Sequence, residues 1–198
     1  MADAVVHLID DDEDVRRALS FLLGTAGFAV KVYESAVQFL DRYNSSVSGC
    51  IVTDVRMPDM DGLQLLRRLK EIGVTLPLVI MTGHADVALA VEAMKIGAVD
   101  FIEKPFPDEV LLTAVRSALA RQPNLAVRDV DQVRTRLASL TAREREVLDG
   151  LLAGHPNKTI AYDLGLSPRT VEIHRANVMT KMGASSLSEL VRMTLSAA

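Results

Sequence analysis

The first half of the chain repeats one pattern, in which a short apolar run is followed by a segment whose apolar residues have helical spacing. Five such runs occur, with the sequences VVHLI, FAVKV, GCIVT, PLVIM and VDFIE. The segments after them predict helices, one starting near Val15 and the others near 35–43, 61–72, 85–96 and 107–121. Alternating strands and helices pack as a parallel sheet with helices on both faces. This half is therefore predicted to form a doubly wound, five-stranded α/β domain over residues 1–121.

The second half shows a different pattern. Near Pro123 the strand-like runs end and polar residues dominate, so residues 122–134 are predicted to be a linker. Residues 135–198 contain only segments with helical spacing, which predicts an all-α domain of four helices.

Two of these helices are separated by a very short turn. A helix over 157–164 is predicted to stop at Gly165, and Ser167 is placed to cap a helix that begins at Pro168. Upstream, Thr141 with Glu144 has the spacing of a capping box. The short turn predicts a helix-turn-helix.

Apolar stripes predict the buried faces of two further helices. The last helix of the first half is expected to bury Val110, Leu111, Ala114, Val115, Ala118 and Leu119. The last helix of the chain, after Gly183, is expected to bury Leu187, Leu190, Val191, Thr194 and Leu195.

Composition restricts the class of protein. The 198 residues are 49% apolar, enough for the cores of two small domains. The single Cys50 excludes an intramolecular disulfide and is expected to be a buried small side chain, which fits a reducing cytosol. The amino terminus lacks a basic segment and no run approaches ~18 apolar residues. We therefore expect a cytoplasmic protein that neither enters nor crosses a membrane.

Charge is unevenly distributed between the two halves. Residues 1–122 hold 12 Lys+Arg and 18 Asp+Glu, a net charge of −6, whereas residues 123–198 hold 10 and 8, a net charge of +2. An acidic half favours binding of a cation, and a basic half favours binding of phosphates. The charge distribution therefore indicates two separate functions.

Polar residues follow four of the five predicted strands. Asp10 and Asp11 follow the first, Asp54 the third, Thr82 the fourth and Lys104 the fifth. The carboxyl ends of parallel strands share one edge of the sheet, where ligands of such folds bind. Three ionised carboxylates there require a counter-charge, which predicts a divalent cation, most plausibly Mg²⁺. Asp54 is then a candidate nucleophile.

The helix that begins at Pro168 has two distinct faces. At about 100° per residue, one side carries Val171, Val178 and Met182, and the other carries Arg169, Glu172, Ile173, Ala176, Asn177 and Thr180. His174, Arg175 and Lys181 flank the second side. A polar face with basic flanks suits base reading at its centre and phosphate contact at its edges, although solvated polar faces are common on surface helices.

These motifs together resemble a known family. The first half resembles the receiver domain of two-component response regulators, and the second resembles the LuxR/NarL-type helix-turn-helix. The resemblance rests on VTDVRMPDMDG, GAVDFIEKPF and PNKTIAYDLGLSPRTVEIHRANVMTKM and covers essentially the whole chain. It implies a flavodoxin-like receiver fold.

The resemblance implies a role for each strand-end residue. Asp54 would be the phosphoacceptor, attacking a phosphohistidine to form an acyl phosphate. Asp11, Asp54 and the carbonyl of Arg56 would ligate Mg²⁺, with Asp10 acting mainly through water. Catalysis would then consist of positioning and electrostatic stabilisation.

The resemblance also implies which residue supplies the positive charge and which residues change conformation on phosphorylation. Lys104 would pair with an added phosphate oxygen, and Thr82 would turn its hydroxyl toward the phosphate. Phe101 would then move inward behind Thr82, and the Lys104-Pro105 peptide bond would be cis.

Partners follow from the same resemblance. They are a sensor histidine kinase, promoter DNA, RNA polymerase and, on phosphorylation, a second copy of the chain. Similarity to the nitrogen-fixation regulators of this family implies an activator that answers an oxygen-sensing haem kinase. The predicted DNA-contacting residues are Lys158, Ser167, Arg169, Thr170, Glu172, Ile173, His174, Arg175, Ala176, Asn177 and Lys181.

Communication between the halves is a hypothesis. Phosphorylation is expected to reshape the surface of residues 85–96, 99–103 and 107–121, freeing the DNA-binding half and pairing two receivers.

Two other functions fit parts of the pattern. A magnesium-dependent phosphatase with an aspartyl nucleophile would also use clustered carboxylates, a Lys and a Thr, but the sequence lacks a cap insertion and a DxD motif at Asp54. A constitutive DNA-binding protein with a receiver used only for dimerisation would not need Asp54 and Lys104, yet both are present.

Overall fold

The computed structural model describes residues 5–44, 47–83, 87–120 and 130–197, with the side chain of Val130 excepted. The chain divides into two compact units. The first comprises residues 1–85 and 96–121, and the second comprises residues 86–95 and 122–198.

The first half of the chain alternates strands and helices, as predicted. Its strands are β1 Val5–Ile9, β2 Ala29–Tyr33, β3 Gly49–Asp54, β4 Leu78–Thr82 and β5 Asp100–Glu103. Its helices are α1 Glu13–Thr25, α2 Ala36–Arg42, α3 Gly62–Glu71, α4 Val87–Ile96 and α5 Asp108–Ala120. All strand pairs are parallel, in the order β2-β1-β3-β4-β5. The predicted doubly wound, five-stranded sheet is confirmed.

The three central strands form the core of the first unit. They read as nearly continuous apolar runs because helices cover both faces of a parallel sheet. Leu8, Val52 and Val79 are fully buried, and so are Leu111 and Val115 of α5. This packing fixes where the strands end, and hence where the polar residues after them lie.

Gly49 is required at the start of β3. Its φ is +117°, a backbone conformation that residues other than glycine rarely adopt. A Cβ there would lie 1.8 Å from the carbonyl oxygen of Val5. Gly73 has a similar positive φ of +74° but open space where a Cβ would stand. An alanine at Gly73 would therefore introduce conformational strain alone, whereas an alanine at Gly49 would introduce both strain and steric overlap.

Gly49→Ala is expected to destabilise the first unit by about 3 kcal/mol or more, since overlap adds to left-handed strain. Gly73→Ala should cost only about 1–2 kcal/mol, the strain alone. Urea unfolding followed by circular dichroism measures both. Equal losses for the two variants would contradict this assignment.

The second half of the chain is helical. Its helices are α6 Val130–Ala138, α7 Ala142–Leu152, α8 Asn157–Leu164, α9 Pro168–Met182 and α10 Leu187–Ala197. Their core includes Val147, Leu151, Ile160, Val171, Val178, Met182 and Leu190. Gly165 ends α8 with a left-handed φ of 65°, and Ser167 caps α9 through the amide of Thr170. The predicted helix-turn-helix is confirmed, as is the capping box of Thr141 and Glu144 at the start of α7.

The structure differs from the sequence analysis at three places. Helix α6 starts inside the segment predicted to be a linker, because Val133 is buried and Leu137 packs beside it, and this helix is additional to the four predicted. The rest of that segment, residues 122–129, lies outside the described residues. Val110 and Leu195 were expected to be buried, but they are exposed in the terminal turns of α5 and α10. In these terminal turns the helical spacing of apolar residues continues, but no neighbouring element among the described residues covers the side chains of Val110 and Leu195.

Candidate functional site

The carboxyl ends of the central strands place several polar groups at one edge of the sheet. Asp10 follows β1, Asp54 ends β3 and Thr82 ends β4, and all three residues are buried. The backbone amide of Lys104 donates to the carbonyl oxygen of Thr82, which fixes the start of the segment after β5. The predicted convergence of these residues at the edge of the sheet is therefore found.

Lys104 is the centre of this group. Its Nζ donates to Asp10 Oδ2 at 2.9 Å and to Asp54 Oδ1 at 2.6 Å, so one ammonium bridges two carboxylates. The Lys104-Pro105 peptide bond is cis, as the resemblance implies.

Backbone amides hold the remaining carboxylate oxygens. The amide of Asp12 donates to Asp10 Oδ1 at 3.0 Å, and the amide of Arg56 donates to Asp54 Oδ2 at 2.6 Å. Asp12 also caps α1 through the amides of Asp14 and Val15. The orientation of both site carboxylates is thereby set before any ligand binds.

The start of α3 supports Asp54 from behind. A Cβ on Gly62 would lie 2.4 Å from the carbonyl oxygen of Asp54, and the amide of Gly62 donates to the carbonyl of Val55 at 2.9 Å. Only a residue without a side chain permits this close approach of helix and strand end.

Burial and charge act in opposite directions on this group. Burial raises the pKa of Asp10, although the hydrogen bond and charge of Lys104 counteract it. Burial alone would lower the pKa of Lys104, but its hydrogen bonds to Asp54 and Asp10 outweigh that and raise it. The ammonium therefore stays protonated at neutral pH.

Three carboxylates, those of Asp10, Asp11 and Asp54, were expected to lie together, and two of them do. Asp10 and Asp54 meet around Lys104, whereas the side chain of Asp11 is exposed. Within the part of the chain that the structure describes, no group of three His, Cys, Asp or Glu side chains could hold a metal ion. The ammonium of Lys104 supplies one positive charge to this pair of carboxylates.

The residue types at this edge nevertheless suit Mg²⁺. The side chains of Asp10, Asp11 and Asp54 and the backbone carbonyl of Arg56 offer hard oxygen donors, the ligands that Mg²⁺ prefers.

Thr82 and Phe101 are neighbours in the sheet. Thr82 of β4 pairs with Glu103 of β5, and Ile80 pairs with Phe101. Because successive side chains alternate between faces, Thr82 and Phe101 lie on the same face, diagonally across two strands. Thr82 is fully buried and Phe101 is half-buried.

Helix α9 has the two faces that its sequence predicts. Val171, Val178 and Met182 are buried, whereas the other side is exposed along its length. That exposed face consists of Arg169, Glu172, Ile173, Ala176, Asn177 and Thr180. His174 and Arg175 are half-buried at its edge, and Lys158 is exposed on α8. The side chains of Ser167 and Thr170 are engaged in the cap, with their hydroxyl oxygens 2.9 Å apart.

Lys181 has a role that the sequence analysis missed. Its Nζ donates to Glu144 Oε2 at 2.6 Å, and the same oxygen accepts the amide of Thr141 at 2.8 Å. Glu144 is only 4% exposed, so the pair joins the end of α9 to the start of α7. The hydrogen bond from Lys181 is the largest of the effects that lower the pKa of Glu144, from 4.5 to about 2. The capping box was visible in the sequence, but its ionic partner 37 residues later was not.

Glu144→Gln is expected to lower the Tm of the second unit at pH 6. A carboxyl whose folded pKa lies below its unfolded value stabilises above the unfolded pKa, and this stabilisation is lost as pH falls. The Tm difference from wild type should therefore shrink as the pH falls from 4.5 toward 2. Glu146→Gln, on the same helix but paired with Arg143 at the exposed surface, is the matched control. Thermal scans at several pH values measure both, and a pH-independent difference for Glu144→Gln would contradict the assignment.

Comparison with known proteins agrees with both halves. Residues 6–116 match the response regulator receiver domain, and residues 138–194 match the luxR family of bacterial regulatory proteins. The chain therefore belongs to the two-component response regulators and combines a receiver domain with a LuxR-type DNA-binding domain.

Within that family it is similar to FixJ proteins. The transcriptional regulatory protein FixJ of Rhizobium meliloti is 53% identical over 98% of this chain and 97% of its own length. The response regulator TodT of Pseudomonas putida is 44% identical over 96% of this chain and 85% of its own length. The crystal structure of full-length FixJ from B. japonicum has a TM-score of 0.58 and 50% identity, covering 100% of this chain and 98% of that one. Across the ranges that the structure describes, no helix is long and apolar enough to cross a membrane.

Proposed function

We propose that this protein is a FixJ-like transcriptional regulator that is switched by phosphorylation of Asp54. The observation that carries the proposal is the bridge of Lys104 between Asp54 and Asp10, in a chain that also contains a helix-turn-helix. A sensor histidine kinase is the proposed donor. The proposed setting is the cytoplasm.

The proposed chemistry is phosphoryl transfer. A carboxylate oxygen of Asp54 attacks the phosphorus of a phosphohistidine, the phosphorus–nitrogen bond breaks, and the electron pair remains on the imidazole. Asp11, Asp54 and the Arg56 carbonyl are the proposed Mg²⁺ ligands, with Asp10 acting mainly through water, and bound Mg²⁺ would neutralise charge on the transferring group. The Arg56 amide holds the other oxygen of Asp54 in place during attack.

Lys104 has two proposed roles in succession. Before transfer, its ammonium balances the charges of Asp10 and Asp54. After transfer, the same point charge pairs with a phosphoryl oxygen, since a flexible four-carbon stem lets the ammonium follow the new anion.

The proposed switch runs from Thr82 to Phe101. The hydroxyl of Thr82 turns toward the phosphoryl group, and the half-buried ring of Phe101, diagonal to it on the same face, moves inward. This rearrangement would alter the surface of the receiver, pair two receivers and free the DNA-binding half. Two half-sites on one dimer raise the effective concentration of the second contact.

The proposed DNA-reading element is α9. Its exposed side chains would enter the major groove, with Arg169, Glu172 and Asn177 among those that reach base edges. Lys158, Arg175 and Lys181 are proposed phosphate contacts at the edges, together with the capping hydroxyls of Ser167 and Thr170. The proposed input is oxygen, sensed by a haem-containing kinase. The proposed output is activation of RNA polymerase.

Acetyl phosphate with Mg²⁺ tests the proposal. We expect a mass increase of one phosphate and tighter binding to DNA in a mobility assay. Sustained release of phosphate from unrelated esters would instead identify a phosphatase. DNA binding that is unaffected by the phosphate would identify a constitutive DNA-binding protein.

A further inference from the structure

The carboxyl-terminal end of α9 is held by a residue from outside the helix-turn-helix. The last carbonyl groups of a helix have no partner within the helix. Here Nη1 of Arg136, on α6, donates to the carbonyl oxygen of Met182 at 2.7 Å. A cation at this end also interacts favourably with the helix dipole.

Gly183 makes room for this contact. Its φ of +65° ends α9 in the left-handed conformation, and a Cβ there would lie 2.9 Å from Nη1 of Arg136. Glycine therefore serves both the turn and the approach of the guanidinium.

Arg136 lies on a helix that belongs to the second unit and contributes to its core. Val133 of α6 is 3% exposed, and Leu137 packs against the same core. The luxR-family match covers residues 138–194, so all of α6 except its last residue lies before that match. Helix α6 therefore lies outside the helix-turn-helix but contacts its second helix, α9, directly.

Two consecutive residues at the end of α9 are thus fixed from two directions. Lys181 is held by Glu144 of α7, and Met182 by Arg136 of α6. The guanidinium of Arg136 is occupied by a backbone carbonyl and half-buried, which distinguishes it from the exposed Arg134 on the same helix.

We propose that Arg136 is a positioning residue for DNA reading, which fixes the end of α9 from α6 without contacting DNA. The inference rests on the proposed DNA-binding function. Loss of the guanidinium should make the last turn of α9 more mobile. The exposed face of α9 would then be positioned less precisely against base edges.

Arg136→Met tests the first step, with Arg134→Met as the matched control. Each variant removes one positive charge from α6 and keeps a long apolar stem. The amides of Gly183 and Ala184 donate to Thr180 and Met179, so their hydrogen exchange reports on the end of α9. We expect exchange about 3- to 10-fold faster at these amides in Arg136→Met only, as for a lost hydrogen bond.

Exchange at the buried core of α7 is the internal reference for this measurement. The amides of Leu148 and Leu151 should keep their wild-type rates, because the proposed effect is local. Unchanged exchange at Gly183 and Ala184, or equal acceleration throughout the second unit, would overturn the proposal.

DNA binding tests the second step. The probes are a duplex selected from a random library by the full-length wild-type protein, treated with acetyl phosphate and Mg²⁺, and a scrambled duplex of equal composition. We expect Arg136→Met to reduce the ratio of their affinities by about 3- to 10-fold, with an unchanged dependence on salt. Arg134→Met should leave the ratio unchanged.

Three further outcomes distinguish an error in the role of Arg136 from an error in the proposed function. A flattening of the salt dependence by about 0.9 in slope, with an unchanged ratio, would identify Arg136 as a phosphate contact and overturn the positioning role. A wild-type protein that selects no duplex would overturn the proposed function itself, and with it the reading role. Normal selection by wild type and by Arg136→Met alike would overturn only the role of Arg136.

Discussion

Asp54→Asn is expected to abolish phosphorylation by acetyl phosphate in the presence of Mg²⁺. The amide has nearly the shape of the carboxylate, so the fold should remain, but it lacks the anionic oxygen that attacks phosphorus. The amide of Arg56 and the ammonium of Lys104 both converge on this side chain, which fixes the orientation of its two oxygens at the sheet edge. Intact-protein mass spectrometry should find no increase of one phosphate.

Asp59→Asn is the matched control for this change. Asp59 lies five residues later in the loop after β3 and adopts a left-handed φ of 65°, which asparagine tolerates well. We expect this variant to be phosphorylated at the wild-type rate. An acyl phosphate of normal yield in Asp54→Asn would remove Asp54 from its role, whereas loss of phosphorylation in Asp59→Asn would point to the loop as a whole.

Lys104→Met is expected to slow phosphorylation by about 10²- to 10³-fold, the usual effect of removing one preorganised electrostatic group from a site of developing charge. The variant keeps a long side chain but leaves the buried Asp10 and Asp54 facing each other without the bridging ammonium. The two carboxylates then disfavour the approach of an anionic phosphoryl group.

The rate of mass increase with acetyl phosphate measures this effect. Lys31→Met removes a lysine from the exposed edge strand β2 and controls for the change in net charge. We expect it to behave as wild type. A rate for Lys104→Met within threefold of wild type would exclude the proposed electrostatic role.

Much of the site could be predicted because it depends on local sequence and on one topological rule. Asp10, Asp54, Thr82 and Lys104 each follow or end an apolar run, and parallel strands bring such positions to a common edge. The two faces of α9 follow from its 3.6-residue period in the same way.

Side-chain partners could not be predicted in this way. The sequence indicated that Lys104 supplies positive charge beside Asp54, but not that its ammonium bridges Asp54 and Asp10. For Lys181 the sequence predicted a phosphate contact, but not the ion pair with Glu144 that the structure shows. Each pair joins residues far apart in sequence, and apolar spacing contains no information on which polar groups meet.

The amino-acid sequence alone determined the order of strands and helices, the helix-turn-helix and the residues at the strand ends, because backbone propensity, capping and apolar period act over a few residues. Only the tertiary structure decided that one ammonium serves two carboxylates, that α6 belongs to the second unit and that Arg136 reaches the end of α9. Those features depend on distances between side chains that the chain brings together only when its core is packed.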